Sequence, residues 1–318
     1  MARQRINLAF IGSGAWARRY HFPTLRYLLT TPPAGFDVAL HLQGIFSLEP
    51  GVARTVAAQT GFRQVYPSLD ALLDDPDVDA IAVAVTPAAA KGVIERVVPR
   101  GVPIFSEKPP GISTAEAQAL AERVDVPNVL AFNRRFAPLN ITFRALADEL
   151  TGTYFVDAHF YRHERLEDAF MIGTGIHWIN FIEYVCGEIH DVTVDRFPSP
   201  RAPAWNRVAH LTFAGGLRGL LKVFPASGSQ VERLDIHSPA RSLYLEGPLW
   251  DRPGRIVVDA GATREVIEPE AQTPLPEIVR LGIVGEYVEF LTRACAGLPT
   301  RSTFQNAVNA MRVAEAME

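Results

Sequence analysis

The sequence predicts an α/β protein in two parts, a doubly wound parallel sheet followed by an α+β part with a large, mostly antiparallel sheet. Apolar runs alternate with helix-like segments up to about residue 132, which is typical of βαβ units. A glycine-containing turn joins the first apolar run to the first helix. After about residue 150, strand-like runs follow one another without long helices between them. We therefore divide the chain into residues 1–132 and 133–318.

Each element of the first part has a local sequence signal. Strands are expected at 6–11, 38–46, 65–66, 79–85, 102–105 and 129–132. Helices are expected at about 15–29, 51–61, 68–73 and 87–98, and from 113 onward. Ser68 and Ser113 are predicted N-caps, because a serine hydroxyl accepts a hydrogen bond from a first-turn N–H. Glu116, three residues after Ser113, completes a capping box.

Strands dominate the second part. We expect them at about 153–163, 190–196, 206–213, 217–223, 231–237, 241–246 and 255–259. One helix is expected at about 175–186, and two more at about 277–296 and 303–317. Such runs of strands indicate a mostly antiparallel sheet.

Composition restricts the class of protein. The 318 residues are 48% hydrophobic, and the net charge of −4 argues against nucleic acid as a partner. Cys186 and Cys295 are too few for a disulfide framework or a typical zinc site, so buried free thiols in a reducing compartment are expected. The run at 6–11 is too short for a signal peptide, and no run approaches the roughly 20 apolar residues of a membrane span. We expect a cytoplasmic protein, and the scattered histidines predict no metal site.

The turn after the first strand has the pattern Gly12-x-Gly14-x-x-Ala17. A strand, a glycine turn and a helix in this order form the dinucleotide-binding fingerprint of a Rossmann fold. Gly12 permits the tight turn, Gly14 lets the backbone approach a pyrophosphate, and Ala17 lets the helix pack close to the strand. The N–H groups around Ala15 and Trp16, at the helix N-terminus, suit phosphate oxygens. The alternative is an ordinary glycine-containing βα turn.

The end of the second strand bears on the choice between NAD and NADP. An acidic residue at this position usually binds the ribose of NAD, and its loss suits the 2′-phosphate of NADP. Ser47 stands where the acid is expected, with Arg54 as the nearest cation and Glu49 as an opposing charge. The pattern slightly favours NADP over NAD. Ser47 as a plain turn residue remains an alternative.

Several further segments carry a resemblance to a known family. They are Thr86-Pro87, Glu107-Lys108-Pro109, Asn133-Arg134-Arg135-Phe136 and Gly175-Ile176-His177. With the glycine turn, they resemble the Gfo/Idh/MocA family of glucose-fructose oxidoreductase, inositol dehydrogenase and relatives, over nearly the whole chain. The resemblance implies an N-terminal Rossmann domain and a C-terminal substrate-binding domain. The large open sheet of the second domain commonly carries the oligomer interface, which implies a homodimer or homotetramer.

The resemblance also implies roles for single residues. It places Gly12, Gly14 and Ala17 at the pyrophosphate and Ser47 near the adenosine ribose. Thr86 and Pro87 would face the cofactor, and Glu107 and Lys108 would lie near the nicotinamide. Lys108 and His177 would be the catalytic residues of the substrate site, and a cis peptide is implied before Pro109.

The chain departs from the family pattern at three positions. Gly173 replaces an aspartate that usually accompanies the catalytic histidine, Asn180 replaces a second aspartate, and Lys91 replaces a histidine. The sequence is therefore identified as a divergent member. Without the carboxylate, His177 lacks its usual orienting partner, and the glycine leaves room for a bulkier substrate.

Further substrate-binding candidates come from the second part. Arg162 and Glu164 follow its first strand, where alternation sends every second residue to one face. Thr174 adjoins the glycine that replaces the aspartate, and Arg135 belongs to the family-like segment. For Arg134 and Arg135, a structural ion pair is the favoured alternative to ligand binding.

These residues predict an NAD(P)-dependent oxidoreductase that transfers a hydride between nicotinamide and a sugar, cyclitol, or related polyol or keto compound. Two alternatives remain. One is a lyase or epimerase with a tightly held cofactor; the other is a non-catalytic cofactor-binding or regulatory protein. The sequence leaves open the substrate, the direction of reaction and the number of subunits.

Overall fold

The computed structural model describes residues 4–318, which form two compact units. Unit 1 contains the described residues up to Ala131 together with Ile283–Val308, and unit 2 contains Phe132–Gly282 and Asn309–Glu318. The sequence-based division at residue 132 assigned Ile283–Val308 to the second part. In the structure this segment packs within unit 1, because its apolar side chains bury against the parallel sheet. Tyr287 stacks on Phe105 with ring centroids 4.4 Å apart.

Five parallel strands form the sheet of unit 1, in the order β2-β1-β3-β4-β5. They are β1 Gln4–Ile11, β2 Val38–Phe46, β3 Ala80–Val83, β4 Ile104–Ser106 and β5 Asn128–Leu130. The helices are α1 Phe22–Thr30, α2 Pro50–Thr60, α3 Leu69–Leu73, α4 Pro87–Val97 and α5 Thr114–Arg123. All four residues of β3 are buried, as expected for a strand covered on both faces. The predicted doubly wound sheet is confirmed.

Local signals in unit 1 mostly act as predicted. The hydroxyls of Ser68 and Ser113 accept from the N–H groups of Ala71 (3.1 Å) and Glu116 (3.2 Å). The strand predicted at 65–66 is reduced to a single bridge between Ile45 and Val65.

Unit 2 is built on an eight-stranded sheet, in the order β13-β12-β11-β10-β6-β9-β8-β7. Its strands are β6 Phe155–Tyr161, β7 Ile189–Pro198, β8 Trp205–Phe213, β9 Arg218–Phe224, β10 Val231–His237, β11 Ser242–Glu246, β12 Arg255–Ala260 and β13 Thr263–Ile267. The helices of unit 2 are α6 Pro138–Asp148, α7 Ile176–Cys186 and α8 Glu277–Arg280. Among these strands β6 and β9 pair in parallel and the other neighbours are antiparallel, which confirms the predicted sheet. Trp178 of α7 lies in the core against Phe160 of β6, and the ring of Phe181 packs against Trp178.

The sequence prediction misses two elements and merges two others. It assigns no helix at 138–148, where β-branched Ile141 and Thr142 weaken the helical signal. It also omits β13, an exposed edge strand without apolar alternation. The helix predicted at 277–296 is interrupted at Gly282, whose φ is +84°. It ends there as α8, and α9 Ile283–Thr292 follows. The last helix, α10, spans Gln305–Met317.

Candidate active site

The glycine turn combines a sterically restricted glycine with a second glycine that faces open space. Gly12 has φ +107°, and a Cβ there would lie 2.1 Å from the carbonyl oxygen of Ala84. A Cβ on Gly14, by contrast, would meet no described atom within 4 Å, so open space lies in front of this backbone. The first helical bond is donated by the N–H of Arg18 to the carbonyl of Gly14 (3.0 Å). The earlier N–H groups, at Ala15 and Trp16, have no acceptor within the helix, so the turn fits a dinucleotide phosphate.

Four of the predicted cofactor-binding positions follow the carboxyl ends of neighbouring parallel strands. Gly12 follows β1, Ser47 follows β2, Thr86 follows β3 and Glu107 follows β4. This edge is where ligands bind in open α/β sheets. The hydroxyls of Ser13 and Ser47 are 2.7 Å apart, which links the end of β2 to the glycine turn.

Thr86 and Pro87 begin α4 at this edge. Thr86 is the exposed N-cap with extended backbone, and the exposed Pro87 occupies the first turn. Pro87 suits this position, because a first-turn N–H would have no helical acceptor.

Glu107 is the centre of a hydrogen-bonded group. Its Oε1 accepts from the indole N–H of Trp16 (3.0 Å) and lies 2.9 Å from Nε2 of His21. Its Oε2 accepts from the backbone N–H of Lys108 (3.1 Å). Nδ1 of His21 is in turn 2.9 Å from the hydroxyl of Tyr287. Trp16 is the N-cap of a π-helical turn, Ala17–His21, that follows the glycine turn and leads into α1. Glu107 therefore joins this turn, the glycine-turn helix, to the segment that carries Lys108.

The charge states of this group follow from its surroundings. Burial by itself raises the pKa of Glu107, but the hydrogen bond from His21 and the charge of Lys108 act in the opposite direction. The net pKa of Glu107 is lowered, so its carboxylate is ionised at neutral pH. Burial, with the charges of Glu286 and Glu107, raises the pKa of Tyr287 well above its ordinary value, so its hydroxyl keeps its proton.

Lys108 is half-buried and is followed by a cis peptide to Pro109, as the resemblance implied. The Glu107 carboxylate points toward His21 and Trp16. It also lies close enough to the Lys108 ammonium for their charges to interact, and that interaction lowers the pKa of Glu107.

His177 lies in the first turn of α7 in unit 2, and Thr174 lies just before that helix. His177 is buried, with its ring edge-on to Phe132 at 6.1 Å between centroids. A π-helical turn, Met171–Gly175, precedes α7, and Arg165 donates to the Thr174 hydroxyl (2.8 Å). A Cβ on Gly173 would meet no described atom within 4 Å, so the turn has room for the side chain that the glycine lacks.

Three substrate-binding candidates have protein partners in unit 2. Arg135 is buried, donates to Oδ1 of Asn180 (2.7 Å) and lies over the ring of Tyr184. Arg162 is buried against the Phe160 ring and bound to Glu232. The exposed Glu164 pairs with Arg201. The position of Arg162 corrects the prediction that strand alternation directs its side chain toward the substrate. Because β6 ends at Tyr161, alternation does not set the direction of the Arg162 side chain.

Glu232 explains the burial of two of the arginines. Its carboxylate accepts from Arg134, at 2.9 Å from Nε, and from Arg162. Burial alone raises the pKa of Glu232, but the two guanidinium charges lower it overall. Burial lowers the pKa of Arg162 to about 10, against the opposing charge of Glu232. Arg134 thus forms the structural ion pair that was the favoured alternative.

Sequence reasoning missed His21, Tyr287 and Glu232. His21 was counted among scattered histidines, although it lies nine residues after Gly12 on the helix that follows the turn. Helical spacing from Ala17 offered a signal, since Ala17, Tyr20 and His21 share the buried face. Tyr287 and Glu232 had no local signal.

A comparison with protein families gives a match over the region of the parallel sheet. Residues 6–133 match the model of an oxidoreductase family, Gfo/Idh/MocA, described as an NAD-binding Rossmann fold. An inositol 2-dehydrogenase of Acidothermus cellulolyticus is 29% identical over 154 residues, which are 46% of this chain and 41% of that protein. The chain thus spans less than half the length of the curated relative that it matches.

Solved structures are similar over nearly the whole chain. A levoglucosan dehydrogenase in complex with NADH and levoglucosan has a TM-score of 0.83 at 16% identity, covering 99% of this chain and 96% of that one. A UDP-N-acetylglucosamine 3-dehydrogenase from Acidithiobacillus ferrooxidans has a TM-score of 0.77 at 21% identity, with coverage of 99% and 96%. At these identities the likeness establishes the fold.

Within residues 4–318, none of the helices combines the length and apolar character needed to cross a membrane. The glycine turn, the residues at the carboxyl edge of the parallel sheet and the family match point to one conclusion. Residues 6–133 are similar to the Gfo/Idh/MocA family of oxidoreductases, whose model is described as an NAD-binding Rossmann fold.

Proposed function

We propose that this protein is an NAD(P)-dependent dehydrogenase or reductase acting on a CH–OH group of a sugar, cyclitol or related compound. The observation that carries the proposal is the junction at Glu107, which ties the glycine turn to Lys108 through Trp16. A phosphate-binding turn joined to a half-buried lysine suits a nicotinamide enzyme. The names of the relatives, which act on inositol, levoglucosan and a nucleotide sugar, support this substrate class.

The proposed reaction assigns roles to two residues of this chain. In the oxidative direction, the substrate carbon loses a hydride, for which a nicotinamide dinucleotide is the acceptor, and the hydroxyl loses a proton. We assign proton acceptance to the imidazole of His177, because an unprotonated imidazole nitrogen can accept a proton. The ammonium of Lys108 donates a hydrogen bond to the oxygen as negative charge develops on it. The product is the carbonyl compound, and the reductive direction reverses each transfer.

Among the substrate-binding candidates we retain Thr174, Arg135 and Glu164. Thr174 adjoins the open space at Gly173, which suits a substrate larger than a simple polyol. Arg135 lies on the same turn as Arg134 and is held by Asn180. Arg162 is left out of the proposed substrate site, because its guanidinium is bound to Glu232 within the core.

We propose a slight preference for NADP over NAD. The residues at the end of β2, Ser47 and Leu48, supply no carboxylate for a ribose hydroxyl. The Ser47→Asp variant should raise the ratio of the NADPH dissociation constant to the NADH dissociation constant, because its carboxylate repels a 2′-phosphate. An unchanged ratio would show that Ser47 does not contact the ribose.

We also propose a cytoplasmic homodimer or homotetramer associated through the eight-stranded sheet. The half-exposed Tyr161, Phe224 and Tyr244 on its open face support the interface, and the free thiols Cys186 and Cys295 suit a reducing compartment. Light scattering of the purified protein gives the subunit number. A Tyr244→Asp variant should lower that number, and an unchanged mass would contradict the sheet interface.

A second candidate, a non-catalytic cofactor-binding protein, is favoured by one observation. Gly173 stands where the resemblance predicts an aspartate near His177, so position 173 supplies no carboxylate. This candidate predicts dinucleotide binding without turnover.

The first experiment measures binding of NAD(H) and NADP(H) by nucleotide fluorescence and thermal shift. Turnover is then screened with cyclitols, anhydrosugars and nucleotide sugars. Lys108→Ala and His177→Ala should each lower kcat by about 10²–10⁴-fold. The matched control is Lys222→Ala, which removes a lysine paired with Asp157 in unit 2. Failure of all four nucleotides to bind would overturn the proposal, and binding without turnover would favour the second candidate.

The chain offers a direct probe of Lys108, because its three lysines are Lys91, Lys108 and Lys222. Reductive methylation with a 13C label keeps the charge and gives each lysine its own NMR signal. A Lys108→Arg variant identifies the signal of Lys108. A bound nicotinamide dinucleotide should shift this signal and leave that of Lys222 in place.

A further inference from the structure

A line of four hydrogen-bonded polar side chains runs into the core of unit 1. Trp16 stands at the start of the helix behind the glycine turn, Glu107 at the end of β4, His21 just before α1, and Tyr287 on α9. His21 and Tyr287 are fully buried. The three links measure 3.0 Å from Trp16 to Glu107, 2.9 Å from Glu107 to His21 and 2.9 Å from His21 to Tyr287. We call these four residues the Trp16–Tyr287 line.

The donors in this line all point toward Glu107. An ionised carboxylate accepts and cannot donate, and an indole N–H donates and cannot accept. Nε2 of His21 must therefore carry a proton to bind Glu107. In the neutral imidazole, Nδ1 is then an acceptor and receives a hydrogen bond from the hydroxyl of Tyr287. The Tyr287 hydroxyl thus selects the tautomer of His21 that donates to Glu107.

The neighbouring phenylalanine rings offer His21 and Tyr287 no replacement hydrogen-bond partner. The His21 ring lies 5.8 Å from the rings of both Phe10 and Phe105, and Tyr287 stacks on Phe105. A buried polar group that loses its partner costs about 1–3 kcal/mol. Breaking the hydrogen bond between His21 and Tyr287 would leave both groups unsatisfied among these rings, so burial favours the arrangement that is present.

We propose that His21 and Tyr287 are positioning residues that orient the Glu107 carboxylate between Trp16 and the backbone of Lys108. Oε1 holds the indole at the start of the glycine-turn helix, and Oε2 holds the N–H of Lys108. A dinucleotide phosphate that settles on the turn thereby also fixes the segment that carries Lys108. The catalytic consequence rests on the proposed dehydrogenase function, whereas the structural link does not.

The test uses the Tyr287→Phe variant, which removes the hydroxyl and keeps the ring stacked on Phe105. Its matched control is Tyr66→Phe, which removes a hydroxyl bound to Asp75 (2.6 Å) elsewhere in unit 1. The first readout is the indole N–H NMR signal of Trp16 in the full-length protein without nucleotide or substrate. Trp16→Phe identifies this signal among the four tryptophans. Tyr287→Phe should shift the Trp16 signal, and Tyr66→Phe should leave it unchanged.

Two variants of His21 supply a rescue. His21→Leu removes the donor to Glu107, whereas His21→Gln retains an N–H near the position of Nε2. The Trp16 signal should shift in His21→Leu and return toward its original position in His21→Gln. In turnover assays, Tyr287→Phe and His21→Leu should lower kcat about tenfold, as outer-shell partners of catalytic groups do, with a smaller change in KM for the nucleotide. His21→Gln should recover part of kcat.

The outcomes separate the inference from the proposed function. A Trp16 signal that stays in place in both Tyr287→Phe and His21→Leu overturns the positioning role, whatever the enzyme catalyses. A signal that moves in those variants supports the link, even if no nucleotide binds and the dehydrogenase proposal fails. A kcat that falls equally in Tyr66→Phe and Tyr287→Phe overturns the specific role of the Trp16–Tyr287 line.

Discussion

Two glycines of one turn have different physical reasons for being glycine. Gly12 is restricted by the fold, since its φ of +107° and the nearby carbonyl of Ala84 leave no place for a Cβ. Gly14 is not restricted in this way, because its backbone faces open space. A variant with a side chain at position 14 should fold, but that side chain would occupy the space in which a pyrophosphate is expected to bind. The two positions therefore separate stability from binding.

Gly14→Ala should leave the free energy of unfolding within about 1 kcal/mol of wild type and weaken dinucleotide binding at least tenfold, or about 1.4 kcal/mol. Gly12→Ala should instead lower the free energy of unfolding, by about 1–3 kcal/mol from backbone strain alone. Urea unfolding and nucleotide titration measure the two effects. Unweakened binding in Gly14→Ala would place the phosphates elsewhere.

A second glycine position tests the departure from the family pattern. Gly173 lies in the π-helical turn before His177, and a Cβ there has free volume. Gly173→Asp should therefore fold with a Tm close to that of wild type. If the leading proposal is correct, the new carboxylate should raise kcat on small cyclitols, because it supplies the partner that the resemblance predicts for His177. Gly173→Asn is the uncharged control. Equal rates in the two variants would contradict a role for the charge.

At the level of elements, Glu183 ties three of them together in unit 2. It lies on α7, accepts from the N–H of Ile189 at the start of β7 (3.1 Å) and accepts from Asn309 on α10. Burial raises its pKa to about 7, with a further contribution from the charge of Glu188, against the two hydrogen bonds. The helix that carries His177 is thus anchored by a carboxyl group that titrates near neutrality.

This pKa shift predicts how stability depends on pH. The pKa is higher in the folded protein than in the unfolded chain, where it is about 4.3. Stability from this group is therefore complete below that pH and is lost as the pH rises toward 7. Glu183→Gln, which keeps an accepting oxygen, should stabilise the protein by about 1–3 kcal/mol at pH 8 and should not do so at pH 4.

Urea unfolding at both pH values measures the effect of Glu183→Gln. Glu149→Gln is the control, because Glu149 is exposed and its contact with Arg241 is long, at 3.5 Å. Exposed pairs of this kind contribute about 0–1 kcal/mol. A gain for Glu183→Gln that is equal at both pH values would contradict the raised pKa.

Elements with a strong local pattern could be predicted from the sequence, and the partners of their side chains could not. Periodicity and caps located β2 and α3, because alternation, glycine and serine act over a few residues. The edge strand β13 lacks that pattern and was missed. Within the candidate site, the glycine turn is a local signal, whereas the contact of His21 with Tyr287 spans 266 residues. Burial at such separations depends on topology, which a single sequence does not display.

At the scale of the whole molecule, the units are not two consecutive stretches of chain. Ile283–Val308 belongs to unit 1, although it follows all the strands of the eight-stranded sheet. Its place is fixed by contacts such as Tyr287 with Phe105 and the hydroxyl of Ser302, which donates to the carbonyl of Leu130 (2.6 Å). The sequence pattern showed helices there and gave no sign of the sheet against which they pack.

Cofactor binding should slow amide exchange throughout unit 1, including its late segment Ile283–Val308. A dinucleotide that binds unit 1 stabilises it by about 2.7 kcal/mol at a hundredfold excess over Kd. Amide exchange should therefore slow in the strands β1 and β4, and also in α9, because Tyr287 links α9 to Glu107 through His21. Hydrogen exchange with mass spectrometry, with and without NADPH, measures this protection, and Gly14→Ala at the same nucleotide concentration is the control that should reduce it. If α9 stayed unprotected while β1 and β4 became protected, the closing helix would not be part of the unit that binds the nucleotide, and the Trp16–Tyr287 line would not transmit binding.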